Sequence, residues 1–308
     1  MKPFSKWGGD AMYDKIFKNT CKILALFAPI LVAAILLRLA ISSAEAWRMF
    51  GFDLLFSSEW NPTTRQFGML PALLGTLLTT GIAMIFAVPL GFLTAFYLND
   101  APDFLRRPLS QGLDLLAAIP SVIYGIWGLF VLVPVMQNHV QPFLLDTLGF
   151  RWLPFVGTDR NGFGYFTAGM VLTLMILPYL SAIMRDVFRM TPTLLRESAY
   201  GIGCTRWEVA WHIVLPYGMR GFLGGVFIGL GRALGETMAV LFVIGNVVRK
   251  PSGVFDSGTT IAATLANNFP EADGCMKSVL FAMGLVLLIL AFLVQIPAQY
   301  YWSTSREK

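Results

Sequence analysis

Charge is what this 308-residue sequence has least of: 13% of its residues are Asp, Glu, Lys or Arg, against about 25% in an ordinary soluble domain. A water-soluble globule is thereby excluded, and with 56% of the residues apolar so is a disordered chain. Cysteine is scarce as well. Cys21, Cys204 and Cys275 are too few and too scattered for a disulfide framework, and with only His139 and His212 beside them no metal-ligand spacing arises. Also missing are the G-x-x-x-x-G-K-[ST] phosphate cradle, the G-x-S-x-G elbow, the H-E-x-x-H pair and the C-x-x-C motif. Nothing here resembles a catalytic apparatus, so if the protein moves a solute uphill the energy enters from a partner or from an ion gradient.

What is present is long apolar runs. A mean hydropathy of +0.65 spread along the chain points to a polytopic membrane protein, and within lipid such runs satisfy their backbone only as helices. A membrane β-barrel would show short alternating segments instead. Six spans are expected: about Ile23–Ser43; Leu70–Leu98, interrupted by Pro89; about Leu113–Met136, with Pro120 and Pro134; about Phe163–Met184, with Pro178; about Gly221–Val248; and Ser278–Ser305. Between Arg65 and Asp100 there is no charge at all. The organisation reads as an N-terminal segment 1–22, a first span 23–43, an outer loop 44–69, a five-span core 70–305 and a short tail 306–308. Residues 11–22 read as a short basic helix on the inner surface. Ala44-Glu45-Ala46 resembles a signal-peptidase site, but the apolar run before it is longer than a secretory core and suits a retained span.

Six spans put both termini on one side. That side carries fourteen Lys and Arg residues, among them Lys15, Lys18, Lys22, Arg106, Arg107, Arg185, Arg196 and Arg220, against seven on the other, including Arg48, Arg65, Arg160 and Arg249. The positive-inside bias makes the termini cytoplasmic. The net charge of +5 is then a mark of topology and gives no reason to invoke nucleic acid.

The loop 185–218 contains two helix signals head to tail. Thr191 is suited to cap a helix that Pro192 begins, and Gly203 to close it in a left-handed conformation. Thr205-Arg206-Trp207-Glu208 is a capping box that restarts a helix, which Pro216 is expected to stop. Such a bent elbow can lie on the membrane surface as an amphipathic hairpin or project into a groove of another subunit.

Glu197-Ser198-Ala199, Gly203 and Ile213-Val214-Leu215-Pro216 resemble the E-A-A-x3-G-x9-I-x-L-P loop of importer permeases of the ATP-binding cassette class. Ser198 stands where a second alanine is usual. The stretch Gly229-Leu230-Gly231-Arg232-Ala233-Leu234-Gly235-Glu236-Thr237-Met238-Ala239-Val240, followed by Val243-Ile244-Gly245-Asn246, is similar to the C-type permeases of bacterial phosphate-specific transporters. So are Phe67–Pro71 with Gly75-Thr76-Leu77, and Ile176–Tyr179 leading to Arg185–Arg189. The resemblance implies an all-α, type I ABC importer permease (MetI-like) bundle of six transmembrane helices in a bacterial inner membrane. It implies that Glu197, Ser198, Ala199 and Gly203 couple to a cytoplasmic ATPase dimer, which would hold the ATP and magnesium; this chain would hold no cofactor. A second, homologous permease subunit and an external phosphate-binding protein are the other implied partners. Sulfate and molybdate permeases also resemble the R-A-x-G-E segment, which leaves that cargo open; a gradient-driven anion carrier is the alternative from another class, though it would have no use for an ATPase-docking elbow.

Arg232 and Glu236 fall within the fifth expected span, where a lone charge costs at least about 2.5–3.5 kcal/mol. On one continuous helix both would lie on the stripe of Gly221, Gly225 and Gly229, at about 20° and 60° against about 0°, 40° and 80° for the glycines. A stripe of that kind faces protein or a pore. The pair can lock helices together, or the guanidinium can meet a passing oxyanion. Arg232, Glu236 and Thr237 are the candidate pathway residues. Within the outer segment 246–276, Ile261–Phe269 is too short to span and reads as a surface helix, suited either to docking an external protein or to covering the bundle.

Overall fold

The computed structural model describes residues 10–147, 156–157 and 159–303. Lys2, Lys6, Arg151, Arg306 and Lys308, which enter the charge count, lie outside the described residues, as does the tail 306–308. The described chain is almost entirely helical, with one two-residue antiparallel ladder pairing β1 (Trp60–Asn61) with β2 (Gln66–Phe67).

Among the described residues, six helices are long and apolar enough to cross a membrane. The first, α1 (Asp10–Phe50), runs unbroken for 41 residues. The short basic helix expected before Lys22 is therefore continuous with the first span, since no residue there breaks the ladder. After a single turn α2 (Asp53–Phe56), α3 (Leu70–Asp100) carries Pro89 inside it. The expected third span divides at Ile119 and Pro120, both extended, into an amphipathic α4 (Asp103–Ala118) with no buried residue and α5 (Ser121–Thr147). Pro120 favours extended backbone in the residue before it, which ends the first helix. Along α5 three π-helical turns take up Pro134 and the residues around it without a stop.

The remaining spans are α6 (Tyr165–Met190), α8 (Arg206–Leu234) and α11 (Gly274–Ser303). Between α6 and α8 lies α7 (Thr193–Gly201), and beyond α8 come the short helices α9 (Met238–Leu241) and α10 (Ile261–Asn268). The centre of the bundle is α3 against α6, with α8 packed on both, while α1 lies mainly along α11. Close approach is made by small residues: a Cβ on Gly91 would meet Leu180, and one on Gly169 would meet Ile82. Buried hydroxyls bond back along their own helices. Thr76, Thr79 and Thr173 donate to the carbonyls of Ala72, Gly75 and Gly169 at 2.8–2.9 Å, as apolar surroundings require.

Two expectations about helix ends change. Thr191 closes α6 and bonds back to the Val187 carbonyl, leaving Pro192 to precede α7. Pro216 does not stop the elbow helix, because a π-helical turn at Val209–Val214 ends just before it and the chain continues to Leu234. A π turn leaves an amide without its usual partner, and a residue with no N–H suits the position after it.

Candidate functional site

At the elbow, local chemistry decides the shape. Thr205 Oγ1 accepts from the Glu208 amide (3.3 Å) and the Glu208 carboxylate accepts from the Thr205 amide (2.7 Å), a complete capping box. Gly203 has φ +95° with open space around it, so the turn from α7 into α8 needs glycine for its backbone alone. Of the four candidate coupling residues, Glu197, Ser198 and Gly203 are exposed, and Ala199 is buried in the core that also holds Val209, Ala210 and Val214. The Ser198 hydroxyl donates to the Leu194 carbonyl at 2.7 Å on the exposed side, so serine at that position leaves the Ala199 contact undisturbed.

The glycine stripe of α8 faces protein. A Cβ on Gly218 or Gly221 would collide with Val187, on Gly225 with Ile183, and on Gly229 it would press on Leu180. Above Gly229 the expected single helix is interrupted. α8 ends at Leu234, Gly235 follows as its C-cap, and α9 starts only at Met238. Arg232 and Glu236 are therefore not one turn apart on a common helix, and no ion pair joins them among the described residues. Each serves a different helix end. Arg232 sits in the last turn of α8, where a cation suits the exposed carbonyls. The Glu236 carboxylate accepts from the Ala239 amide at 3.1 Å and so caps α9. At the far end of α9, Asn246, with φ +54°, donates to the Leu241 carbonyl at 2.9 Å. Gly-Glu-Thr and Gly-Asn thus bracket one short helix inserted in an apolar segment.

Arg232 is left exposed, with no hydrogen bond or ion pair among the described residues, within electrostatic reach of Tyr124 on α5. The Tyr124 hydroxyl bridges the break at Pro120 by donating to the Leu116 carbonyl at 2.8 Å. Gly125 lets α9 approach, because a Cβ there would lie 2.7 Å from Phe242 and 2.9 Å from the Met238 carbonyl. Two broken helices meet at this level, a juxtaposition for which the tandem Ile119-Pro120 and Gly235-Glu236-Thr237 are the only sequence signals. Thr237 is half-buried and lines a cavity of about 460 Å³ with Leu39, Ala262, Leu265, Phe269 and Leu280.

The opposite end from the elbow is covered by chain. Ile261 to Thr264 are buried and 265–268 are half-buried or exposed, so the first half of α10 is set into the bundle, which it covers. Thr260 caps it, and the Ile261 amide donates to Thr76 Oγ1 at 3.0 Å. Beside it Arg249 bonds to Asp159, and Asp256, 2% exposed, accepts from the amides of Ser252 and Gly253. No group of His, Cys, Asp and Glu that could hold a metal ion occurs among the described residues.

Comparison with known proteins gives a consistent answer. The family model for the binding-protein-dependent transport system inner membrane component matches residues 87–301, more than two thirds of the chain. The phosphate transport system permease protein PstC of Pasteurella multocida is 46% identical over 286 residues, covering 91% of this chain and 89% of that relative. Its namesake from Haemophilus influenzae is 45% identical over 300 residues, covering 94% and 93%. Among solved structures, a bacterial alginate ABC transporter crystallised with an alginate pentasaccharide-bound periplasmic protein aligns with a TM-score of 0.61 at 18% identity, over 94% of this chain and 96% of that one. An inward-facing MetNI methionine ABC transporter aligns with a TM-score of 0.54 at 17% identity, over 76% and 92%. At those identities the structures speak for the fold, and the fold is the six-helix bundle implied by the sequence motifs.

Proposed function

Because this chain belongs to the family of binding-protein-dependent transport system inner membrane components, we propose that it is the membrane-spanning permease subunit of an ATP-driven importer of inorganic phosphate. It lies in a bacterial inner membrane with the elbow and both termini in the cytoplasm, a reading supported by the basic residues at the elbow end. A cytoplasmic ATPase dimer holding ATP and magnesium binds the elbow at the exposed Glu197, Ser198 and Gly203, with the buried Ala199 seating α7 on the core. A second, related permease completes the pathway, and an external phosphate-binding protein delivers the anion. Relatives named for phosphate transport, at 45–47% identity over nearly the whole chain, support phosphate as the cargo over sulfate or molybdate.

The observation that carries the reading is Arg232, a permanent cation in an apolar span with no acceptor among the described residues of its own subunit. A planar donor fork is matched to a tetrahedral oxyanion. With Glu236 committed to capping α9, the arginine stays available. ATP binding draws the ATPase halves together, the elbows move with them, and the broken helices at Pro120 and Gly235 open one face as the other closes.

The test is uptake by vesicles containing the assembled complex, with the binding protein outside and ATP inside. Phosphate accumulates and sulfate and molybdate do not; Arg232→Gln removes phosphate uptake while assembly and capture by the binding protein persist. Sulfate or molybdate accumulating at the rate of phosphate would transfer the reading to that oxyanion, and accumulation without ATP would make the protein a gradient-driven carrier. Loss of assembly in Arg232→Gln would assign the arginine to subunit contact.

A further inference from the structure

The elbow is joined to the spans by two routes, backbone and side chain, and they differ in stiffness. Along the backbone, α7 is linked to α8 through Gly203, in the left-handed region with open space around it. The next stretch, Val209–Val214, is π-helical, a rare form that occurs mostly as a single-turn bulge inside an α-helix. Movement passed along this route is dissipated twice before it reaches Leu215.

The side-chain route consists of rings. Trp207 and Trp211, one turn apart, stack with centroids 5.8 Å apart and planes at 17°. Phe92 of α3 sets its edge against both, at 6.2 and 6.1 Å. Phe96, one turn further along α3, meets Trp207 at 5.6 Å. Phe92 in turn touches Phe188 of α6 at 5.6 Å and Phe222 of α8 at 6.2 Å, and Phe96 touches Phe188 at 6.2 Å. Phe92 and Phe188 are 6% and 2% exposed, whereas Trp207 and Trp211 are about half bare. One continuous net thus holds three spans at its buried end and the elbow at its open end. Rings have few internal torsions, and close-packed interiors transmit displacement without absorbing it.

We infer that this net is the joint through which movement of the elbow reaches α3, α6 and α8, and that Trp207 and Trp211 are positioning residues for transport. The inference rests on the importer reading above and deepens it. α7 receives the movement, the capped start of α8 carries it as a rigid piece, and the rings pass it across the compliant backbone to the helix that ends in Arg232.

The experiment uses the whole complex in vesicles and reads phosphate taken up per ATP hydrolysed. Replacing both tryptophans, Trp207→Leu with Trp211→Leu, leaves ATP hydrolysis running and lowers the ratio by about tenfold, the scale on which coupling residues act. Phenylalanine at both positions restores most of it. A leucine variant with an unchanged ratio overturns the inference, as does one whose ratio phenylalanine does not restore. If the leucine variant does not assemble, Phe96→Leu on α3, outside the elbow, is read in its place: a lowered ratio supports the joint and an unchanged one refutes it. Failure of the cargo reading is distinguishable, because the unaltered complex would then take up no phosphate. In that case a fluorophore at the exposed position Ile228 of α8 reports the joint directly: its response to ATP is present in the unaltered complex and lost on leucine substitution, and persistence of the response refutes the inference.

Discussion

The elbow and the break above α8 are both places where a helix stops and another starts, yet they are built on opposite principles. At the elbow the instructions are local: Gly203 supplies the left-handed turn, and Thr205 and Glu208 satisfy each other's amides within four residues. At the break, Gly235, Glu236 and the asparagine cap from Asn246 contribute locally, but what lets α9 sit in place is distant in sequence, the bare backbone of Gly125. A structure made by local chemistry can move as a unit, as a coupling element must. One made by tertiary contact changes when its neighbours move, which suits a gate.

Breaking the comparison at its most consequential point means removing the charge the break exposes. Arg232→Gln is expected to lower phosphate uptake by about a hundredfold, the equivalent of about 3 kcal/mol for a lost charge-assisted contact, with melting of the complex little changed because Arg232 has no hydrogen-bond or ion-pair partner among the described residues. Parallel uptake and melting curves check it, and uptake within twofold of the unaltered protein would remove Arg232 from the pathway.

Gly125→Val tests the dependence on distant contact. Its side chain would press on the Met238 carbonyl and the Ala239 Cα, atoms that yield only if α9 shifts, at a cost of about 1–3 kcal/mol. Uptake is expected to fall roughly tenfold on that scale, while cysteine accessibility at exposed elbow positions such as Ile202 stays unaltered. If the elbow's accessibility changed as much as transport, the two regions would not be built independently.

How much of this was legible in the sequence follows the same division. The capping box and the glycine turn are short-range patterns and appear where the residues put them; six spans are there as well, but the third begins only at Ser121 and the fifth stops at Leu234. The stripe of Gly221, Gly225 and Gly229 correctly faces protein, because a face without side chains admits a neighbour whatever that neighbour is. Pro216 misled, since the outcome depended on a π turn that periodicity does not announce. Arg232 and Glu236 looked like a pair because 100° per residue was continued through Gly235, where the helix ends. The ring net was hidden for another reason: Phe92, Phe188 and Trp207 lie on three separate segments, and no spacing links them until the spans pack.

Glu236 offers a finer distinction. If its task is to cap α9, an uncharged acceptor suffices: Glu236→Gln is expected to transport at nearly the normal rate, while Glu236→Ala loses the bond to the Ala239 amide at a cost of about 1 kcal/mol and slows uptake several-fold. A charge that restrains Arg232 electrostatically would be lost equally in both variants. Equal defects in uptake would therefore return the carboxylate to the role of the arginine's partner.

The smallest effect belongs to the elbow's own signal. Thr205→Ala removes the hydroxyl that accepts from the Glu208 amide, and an exposed cap of this kind contributes about 1 kcal/mol. Because the rings of Trp207 and Trp211 hold the start of α8 against α3 from the side, the helix is expected to fray by one turn without leaving its place. Hydrogen exchange at Glu208 and Val209, whose amides bond to Thr205, should quicken while that at Leu215 to Leu234 stays unchanged, and phosphate moved per ATP should hardly change. Local chemistry then starts the helix and the ring net keeps it attached; if exchange quickened along the whole of α8, the cap would be holding the span as well, and the division between a locally built elbow and a packing-built gate would fail at its simplest point.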